Sequence, residues 1–262
     1  MQPGQASDAG STRSPHEREL LANARPPEWQ NPTPRGPYHL LVIGAGPGGL
    51  VAARAAAALG AKVALIERHL LGGDSLNHGS IPSKAIIRTS RLYAEMRTAT
   101  NFGAVPPANI RVDFAAAMER MRRIRTRISR VDSASRLVAE GIDLYFGTAR
   151  FVGPDAVDVG GTRLRFRKAL IATGLRSIPP TVPGLAEAGY LTKETVFDLT
   201  APPPSMLVIG GGPLGCELAQ PFAAWAREPS FPTPSRCSCR RKNATPRRWS
   251  PMRWRATASI FT

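Results

Sequence analysis

Residues 38–49, with the sequence YHLLVIGAGPGG, determine how the rest of the chain is interpreted. The first six are almost wholly apolar, which is typical of a parallel strand buried on both faces. The glycine-rich turn leads into residues 50–59, an alanine-rich segment that favours helix. Residues 62–67, KVALIE, are a second apolar run that ends on an acid. A strand, a helix and a strand of this length form one βαβ unit, so the sequence predicts an α/β protein with a doubly wound sheet.

The glycines of this turn have the spacing G-x-G-x-x-G, and each has a separate physical role. Gly44 allows the tight turn, Gly46 lets the backbone approach a pyrophosphate, and Gly49 permits close packing of helix on strand. The pyrophosphate would lie at the helix N-terminus, and Glu67 would accept hydrogen bonds from ribose hydroxyls. These residues therefore predict a dinucleotide site. A purely structural glycine turn is the alternative.

A second copy of the pattern begins at residues 206–209, MLVI, and continues through Gly210, Gly212 and Gly215 into a helical segment that reaches about residue 226. An apolar second strand should follow. Residues 229–235, PSFPTPS, are instead rich in proline, which removes the backbone donors that a buried strand needs. We therefore expect this second nucleotide site to be incomplete.

The segment between the two copies first favours helix and then strand. Helices are predicted over residues 82–100 and 113–140. In the second helix Met118 and Met121 belong to an apolar stripe, and we expect the many arginines around it to form a solvated face. Four strands are predicted after it, at residues 142–146, 149–151, 156–159 and 164–172, with a hairpin turn at the two glycines 160–161.

The two ends of the chain differ in composition from its centre. Residues 1–37 are rich in proline and polar residues, so we interpret them as a flexible leader. Residues 227–262 contain nine basic residues and one acid, which is half of the formal net charge of +16, and they contain no Leu or Val. Such a segment predicts a disordered basic tail. Our interpretation is a frameshifted translation and no nucleic-acid partner; a basic arm that binds nucleic acid is the alternative.

Composition also excludes several classes of protein. No run of 18 apolar residues is present and the first residues do not resemble a secretion signal, so we expect a cytoplasmic protein without membrane partners. The three cysteines are too few for a disulfide framework. Cys237 and Cys239 lack the nearby partners that a metal site requires, and no metal is predicted.

Residues 71–84, LGGDSLNHGSIPSK, carry a clear family resemblance. They resemble the pattern G-G-x-C-x-N-x-G-C-x-P-S-K of the class I pyridine nucleotide–disulfide oxidoreductases, most nearly the mercuric reductase and dihydrolipoamide dehydrogenase branch. Residues 171–174, IATG, resemble a further element of that family, and Glu217 matches the acid that follows its NAD(P)H fingerprint. The resemblance covers about residues 38–222.

The resemblance implies a Rossmann-like fold that binds FAD and NAD(P)H and transfers hydride from one to the other. It implies an FAD-binding domain at residues 38–200 and the start of an NAD(P)H-binding domain at residues 201–226. Lys84 and Glu217 would pair beside the flavin. Further cofactor contacts are implied at Ser83, Ala149, Thr173 and Gly174. The family is homodimeric, and we expect the dimerisation domain to be absent because the likeness stops within the second domain.

One departure from the family pattern bears directly on chemistry. Ser75 and Ser80 occupy the positions of the two redox cysteines. Disulfide exchange requires a thiolate and a partner sulfur, and a hydroxyl supplies neither. We therefore expect a flavoprotein without disulfide or Hg(II) reductase activity. An inactive truncated remnant, or a flavin diaphorase or oxidase that needs no cysteines, are the alternatives.

Overall fold

A computed structural model of the chain describes residues 14–178, 181–225, 237–238 and 260–261. Its first element is helix α1 (Pro15–Ala24), where we predicted a flexible leader. Ser14 caps this helix: its hydroxyl accepts from the Glu17 amide while the Glu17 side chain accepts from the Ser14 amide. A proline in the first turn and this capping box favour helix locally, and Leu20 and Ala24 are buried. The expectation of a flexible leader is therefore wrong for this segment.

The predicted βαβ unit is confirmed as strand β1 (Tyr38–Ile43), helix α2 (Pro47–Ala58) and strand β2 (Val63–Glu67). The elements that follow are helices α3 (Gly73–Asn77), α4 (Ser80–Arg97), α5 (Phe114–Ser129) and α6 (Ala134–Ala139), and strands β3 (Ile142–Phe146), β4 (Ala149–Gly153), β5 (Ala156–Val159) and β6 (Thr162–Ile171). The last four confirm the predicted strands to within a few residues.

These strands form one sheet in the order β3-β2-β1-β6-β5-β4. Strand β1 lies at its centre and pairs in parallel with β2 and with the second half of β6, while the first half of β6 pairs antiparallel with β5. This arrangement brings the end of β6 beside the turn after β1, because the Ala172 amide donates to the Ile43 carbonyl at 2.8 Å. The carboxyl ends of both strands therefore meet at one edge of the sheet, where ligands bind in open α/β folds.

The helix that we predicted over residues 113–140 is two helices, α5 and α6. Ser133 separates them because its hydroxyl accepts from the Arg136 amide and caps the second helix. The expected solvated arginine face is also wrong in part, since Arg122 and Arg125 are buried. The Arg122 guanidinium donates to the Leu199 carbonyl at 3.0 Å, so it ties α5 to a later segment of the chain.

The next elements along the chain are helix α7 (Leu185–Ala188), strands β7 (Leu191–Thr192) and β8 (Val208–Ile209), and helix α8 (Pro213–Trp225). Helix α8 shares a hydrophobic core with α4 and α5, in which Phe114 packs against Phe222 and Trp225 at ring centroid distances of 6.1 and 5.6 Å. Helix α8 is thus packed directly on two helices that follow the βαβ unit in the chain.

Two short strands lie in the predicted disordered tail, β9 (Cys237–Ser238) and β10 (Ile260–Phe261). Both pair in parallel with β8, so the expectation of a wholly disordered tail is wrong for these residues. The rest of that expectation concerns residues outside the described ranges. Among the helices of the described residues, none has the length and hydrophobicity needed to span a bilayer.

Candidate dinucleotide site

The three glycines that we singled out in the turn between β1 and α2 differ in their surroundings. Gly44 has φ +103°, and a Cβ on it would lie 2.3 Å from the Ala172 carbonyl oxygen. A Cβ on Gly49 would lie only 1.8 Å from the Gly44 carbonyl oxygen. A Cβ on Gly46 would meet nothing nearer than the Gly73 Cα at 3.9 Å. Packing therefore requires glycine at two of these positions, whereas a Cβ on Gly46 would make only an ordinary contact, and Gly46 lines an open cleft.

The N-terminus of α2 lies at this cleft, because its N-cap residue is Gly46, and no side chain caps the helix. The first amides of a helix lack internal acceptors and favour an anion. Nearby, the buried Glu67 carboxylate accepts from the Ala45 amide at 2.7 Å and from the His69 amide at 2.8 Å. These bonds fix its orientation, and each oxygen keeps a further lone pair for a hydroxyl.

The cleft extends from the turn to helix α3. Its lining includes five predicted cofactor-binding residues and one residue of the family motif, Asn77; the five are Gly44, Gly46, Glu67, Thr173 and Gly174. The Asn77 amide nitrogen donates to the Leu71 and Gly73 carbonyls at 3.0 and 2.9 Å. Its Oδ1 is buried and accepts no hydrogen bond from the described residues. We call the open face of the glycine-rich turn the cradle. A buried acceptor without a partner among the described residues, close to this cradle, fits a ligand that carries phosphates and hydrogen-bond donors, as FAD does.

Ser75 and Ser80 lie side by side outside the lining of this cleft, and Ser75 directly follows Asp74, which lines it. Ser75 belongs to α3 and Ser80 begins α4, and their Oγ atoms are 2.6 Å apart, within hydrogen-bonding distance. The structure therefore brings together the two positions that the family resemblance assigns to redox cysteines. One hydroxyl donates to the other, and the described contacts include no hydrogen bond from either hydroxyl to a basic side chain that would activate it as a nucleophile.

Lys84 and Glu217 form the ion pair that the resemblance implies, with Lys84 Nζ 2.7 Å from Glu217 Oε1. The buried Ser83 hydroxyl donates to the other oxygen of the same carboxylate at 2.6 Å. Burial alone would raise the pKa of the Glu217 carboxyl. The hydrogen bonds from Lys84 and Ser83 outweigh burial, so the pKa lies below its ordinary value. The pair joins α4 to α8 and stands one helical turn from Ser80.

We predict that Glu217→Gln lowers the free energy of unfolding at about pH 7 by roughly 1 kcal/mol or less, because Lys84 is 59% exposed and solvent screens the pair. The depressed pKa means that the carboxylate stabilises the fold above its unfolded value of 4.5 and that this contribution is lost as the pH falls through the folded value. Urea unfolding at about pH 7 and about pH 3 checks this. The stability difference between variant and unaltered chain should shrink at the lower pH, with Glu187→Gln as the control on exposed α7. A difference of equal size at both pH values would contradict the pair.

Four polar residues at or near the cleft were not predicted as site residues from the sequence: Asp74, His78, Lys193 and Glu194. Asp74 of α3 forms an ion pair with the buried Lys193, and Asp74, His78 and Glu194 line the cleft. Burial, followed by the charge of Arg125, lowers the pKa of His78. No local signal could have paired Asp74 with Lys193, because the two lie 119 residues apart in the chain.

The other predicted site residues lie as follows. Thr173 and Gly174 line the cleft, whereas Ala149 begins β4 outside its lining, two residues beyond Gly147, whose amide donates to the Glu67 carbonyl at 2.9 Å. Ser83 faces Glu217. Gly210 has φ +126° and begins the turn that leads through Gly212 and Gly215 from β8 to α8. In the described ranges no cluster of three or more metal-ligating side chains is found.

The sheet order and the glycine-rich turn define an α/β fold of the dinucleotide-binding type, and comparison with known proteins identifies the family. Residues 38–230 match the family described as pyridine nucleotide-disulphide oxidoreductase. Dihydrolipoyl dehydrogenase 2 of Haloarcula marismortui is 40% identical over 199 residues, which cover 72% of this chain and 41% of that protein. Mercuric reductase of Bacillus cereus is 34% identical over 185 residues, which cover 71% of this chain and 29% of that protein. The chain therefore belongs to the pyridine nucleotide-disulphide oxidoreductase family.

Solved structures agree with this assignment. The HOCl-induced flavoprotein disulfide reductase RclA from Escherichia coli superposes with a TM-score of 0.60 at 26% identity, over 72% of this chain and 40% of that chain. The predicted FAD/NAD(P)-binding, Rossmann-like fold class is thus confirmed. The match to the dihydrolipoyl dehydrogenase of Acholeplasma laidlawii covers 56% of that protein. The chain therefore spans about half or less of the length of these curated relatives.

Proposed function

We propose that the chain is an FAD-dependent oxidoreductase that transfers hydride from NAD(P)H to FAD and performs neither disulfide nor Hg(II) reduction. The observation that carries the proposal is the Ser75–Ser80 pair, 2.6 Å between oxygens, beside an intact Lys84–Glu217 pair. The residues that hold and orient a flavin are present, whereas the residues that would pass its electrons to a disulfide are hydroxyls. Electrons would instead leave directly to a small acceptor, as in a diaphorase or oxidase.

Each part of the cleft has a role in this proposal. The amides at the N-terminus of α2 hold the diphosphate in the space left by Gly46, and the Glu67 carboxylate accepts from a ribose hydroxyl. Glu217 holds the Lys84 ammonium in one position, so that a fixed positive charge lies beside the reacting ring. When bound, FAD would supply the ring that accepts the hydride. Gly210, Gly212 and Gly215 would contact NAD(P)H in a site that we still regard as incomplete.

The serines exclude dithiol chemistry on energetic grounds. A cysteine has a pKa of about 8.5 and is partly ionised near neutral pH, and the thiolate is the form that attacks a disulfide or binds a soft metal. A serine hydroxyl stays protonated and cannot form the reversible sulfur–sulfur bond.

The test is a visible absorption spectrum of the purified protein, followed by NADH and NADPH oxidation with three acceptors. We expect a flavin band that either nucleotide bleaches, reduction of a soluble quinone, and no turnover of Hg(II) or of oxidised lipoamide. Turnover of Hg(II) would overturn the argument from the serines. Quinone reduction by an Lys84→Met variant at the unaltered rate would overturn the role of the ion pair.

An inactive remnant is the second candidate, and one observation favours it. Strand β6 and the segment after it leave large apolar side chains in water, with Ile171 63% and Leu175 89% exposed. Uncovered apolar surface next to a sheet edge favours aggregation over function. The same spectrum separates the candidates, since a remnant that cannot retain FAD shows no flavin band after purification or after incubation with added FAD.

A further inference from the structure

Residues 14–31, which we call the N-terminal strap, lie ahead of the family match that begins at residue 38. The strap is fastened along helix α5. The Thr126 hydroxyl donates to the His16 carbonyl at 2.7 Å, and the Asn23 amide donates to the Ser129 hydroxyl at 3.0 Å. Leu20 and Ala24 add buried apolar contact. The strap is therefore part of the folded unit although the matched region does not include it.

The end of helix α1 contacts the loop at residues 68–71, which follows β2. Arg25 Nη1 donates to the Arg68 carbonyl at 2.6 Å and to the His69 carbonyl at 2.8 Å. The Leu71 amide donates to the Ala24 carbonyl at 3.0 Å. The Arg25 guanidinium also lies over the Phe146 ring at 5.1 Å, which holds it in place.

This loop is part of the dinucleotide site. Arg68 and His69 line the cleft, and the His69 amide donates to Glu67 Oε1 at 2.8 Å. Beyond the loop the Gly72 amide donates to the Ala45 carbonyl at 2.9 Å, next to the glycine-rich turn. Residues 68–70 belong to neither a helix nor a strand. The backbone of these residues is therefore held by the contacts at the two ends of the loop and by Arg25. The position of the loop determines one of the two hydrogen bonds that orient the Glu67 carboxylate, the bond from the His69 amide.

We propose that Arg25 is a positioning residue for dinucleotide binding, which acts by holding the loop at residues 68–71 against the cleft. The inference rests on the proposed binding of FAD. It differs from a general structural role because Arg25 is exposed and its two donor contacts both end on this loop. Loss of the side chain should loosen the loop while α1 stays on α5.

The experiment compares Arg25→Ala, Arg25→Lys and the control Glu19→Gln, which removes an exposed ion pair to Arg130 from the same helix. Two quantities are measured: the FAD dissociation constant from quenching of flavin fluorescence, and hydrogen exchange of the His69 and Leu71 amides in FAD-free protein. We expect Arg25→Ala to weaken FAD binding about fivefold and to speed exchange at both amides, and Glu19→Gln to change either by less than about twofold. Arg25→Lys should fall between them.

Unchanged exchange and unchanged FAD affinity in Arg25→Ala would overturn the inference. So would a general loss of stability, in which the urea midpoint falls and amides throughout α1 exchange faster together with the loop. If the unaltered chain binds no FAD, the proposed function fails. The exchange comparison then still decides whether Arg25 orders the loop, so the two failures are distinguishable.

Discussion

Gly46→Ala should leave the fold intact and weaken FAD binding strongly. The nearest atom to a Cβ at this position is the Gly73 Cα at 3.9 Å, which is ordinary contact, and Gly46 has an extended backbone that alanine adopts without strain. The methyl group would instead add bulk beside the α2 N-terminus, where the proposed diphosphate site requires close approach to the backbone. Intrusion of one methyl into a close-packed site costs about 1–3 kcal/mol, which is roughly 5- to 150-fold in affinity.

Gly49→Ala is the matched comparison, and its main effect should be on the stability of the fold. A Cβ there would lie 1.8 Å from the Gly44 carbonyl oxygen and 3.3 Å from a Val42 methyl carbon, so α2 would have to move away from β1. Overpacking of this kind is expected to lower the free energy of unfolding by about 3 kcal/mol, a large share of the stability of a domain.

Urea unfolding and FAD titration of both variants separate the two roles. The expected pattern is an unchanged urea midpoint with weakened FAD binding for Gly46→Ala, and a lowered midpoint for Gly49→Ala. If Gly46→Ala bound FAD as tightly as the unaltered chain, the cradle would not be the diphosphate site. If Gly49→Ala were as stable as the unaltered chain, the close packing of α2 against the turn that we describe would be contradicted.

The sequence predicted the elements whose signal is local. The βαβ unit at residues 38–67 and the strands at residues 142–171 follow from runs of apolar residues between glycines. Helix α1 also has a local signal, Ser14, Pro15 and Glu17, which the proline-rich composition around it outweighed in our interpretation. The sequence did not predict the break between α5 and α6, because the break depends on one residue, the capping Ser133, and helical periodicity continues on both sides of it.

The parts of the site that escaped prediction depend on contacts between distant residues. Nothing near Arg122 or Arg125 indicates that another segment will cover them, since burial of an arginine depends on which carbonyls and carboxylates the fold brings to it. Asp74 and Lys193 are likewise joined only by the fold. By contrast, Ser75 and Ser80 lie in one short motif, and the resemblance of that motif was enough to place them together.

The closeness of Ser75 and Ser80 leads to the second prediction with a large effect, a gain of redox chemistry. The two Oγ atoms are 2.6 Å apart, and a disulfide needs its sulfurs at about 2.05 Å. Sulfur in place of both oxygens therefore requires only a small rotation of each side chain. The double variant Ser75→Cys, Ser80→Cys should form a disulfide in air that a dithiol reductant opens again.

Thiol titration of the unfolded protein measures this outcome directly. The unaltered chain contains three cysteines, so the reduced double variant should titrate three plus two thiols and the oxidised form three. The single variants Ser75→Cys and Ser80→Cys are the controls and should titrate three plus one in both states. If oxidation left the double variant with all five thiols, the geometry of the Ser75–Ser80 pair would be refuted. A disulfide that NAD(P)H reduces only when FAD is bound would further support the proposed function, because electrons from the nucleotide would then pass through the flavin to the sulfur–sulfur bond.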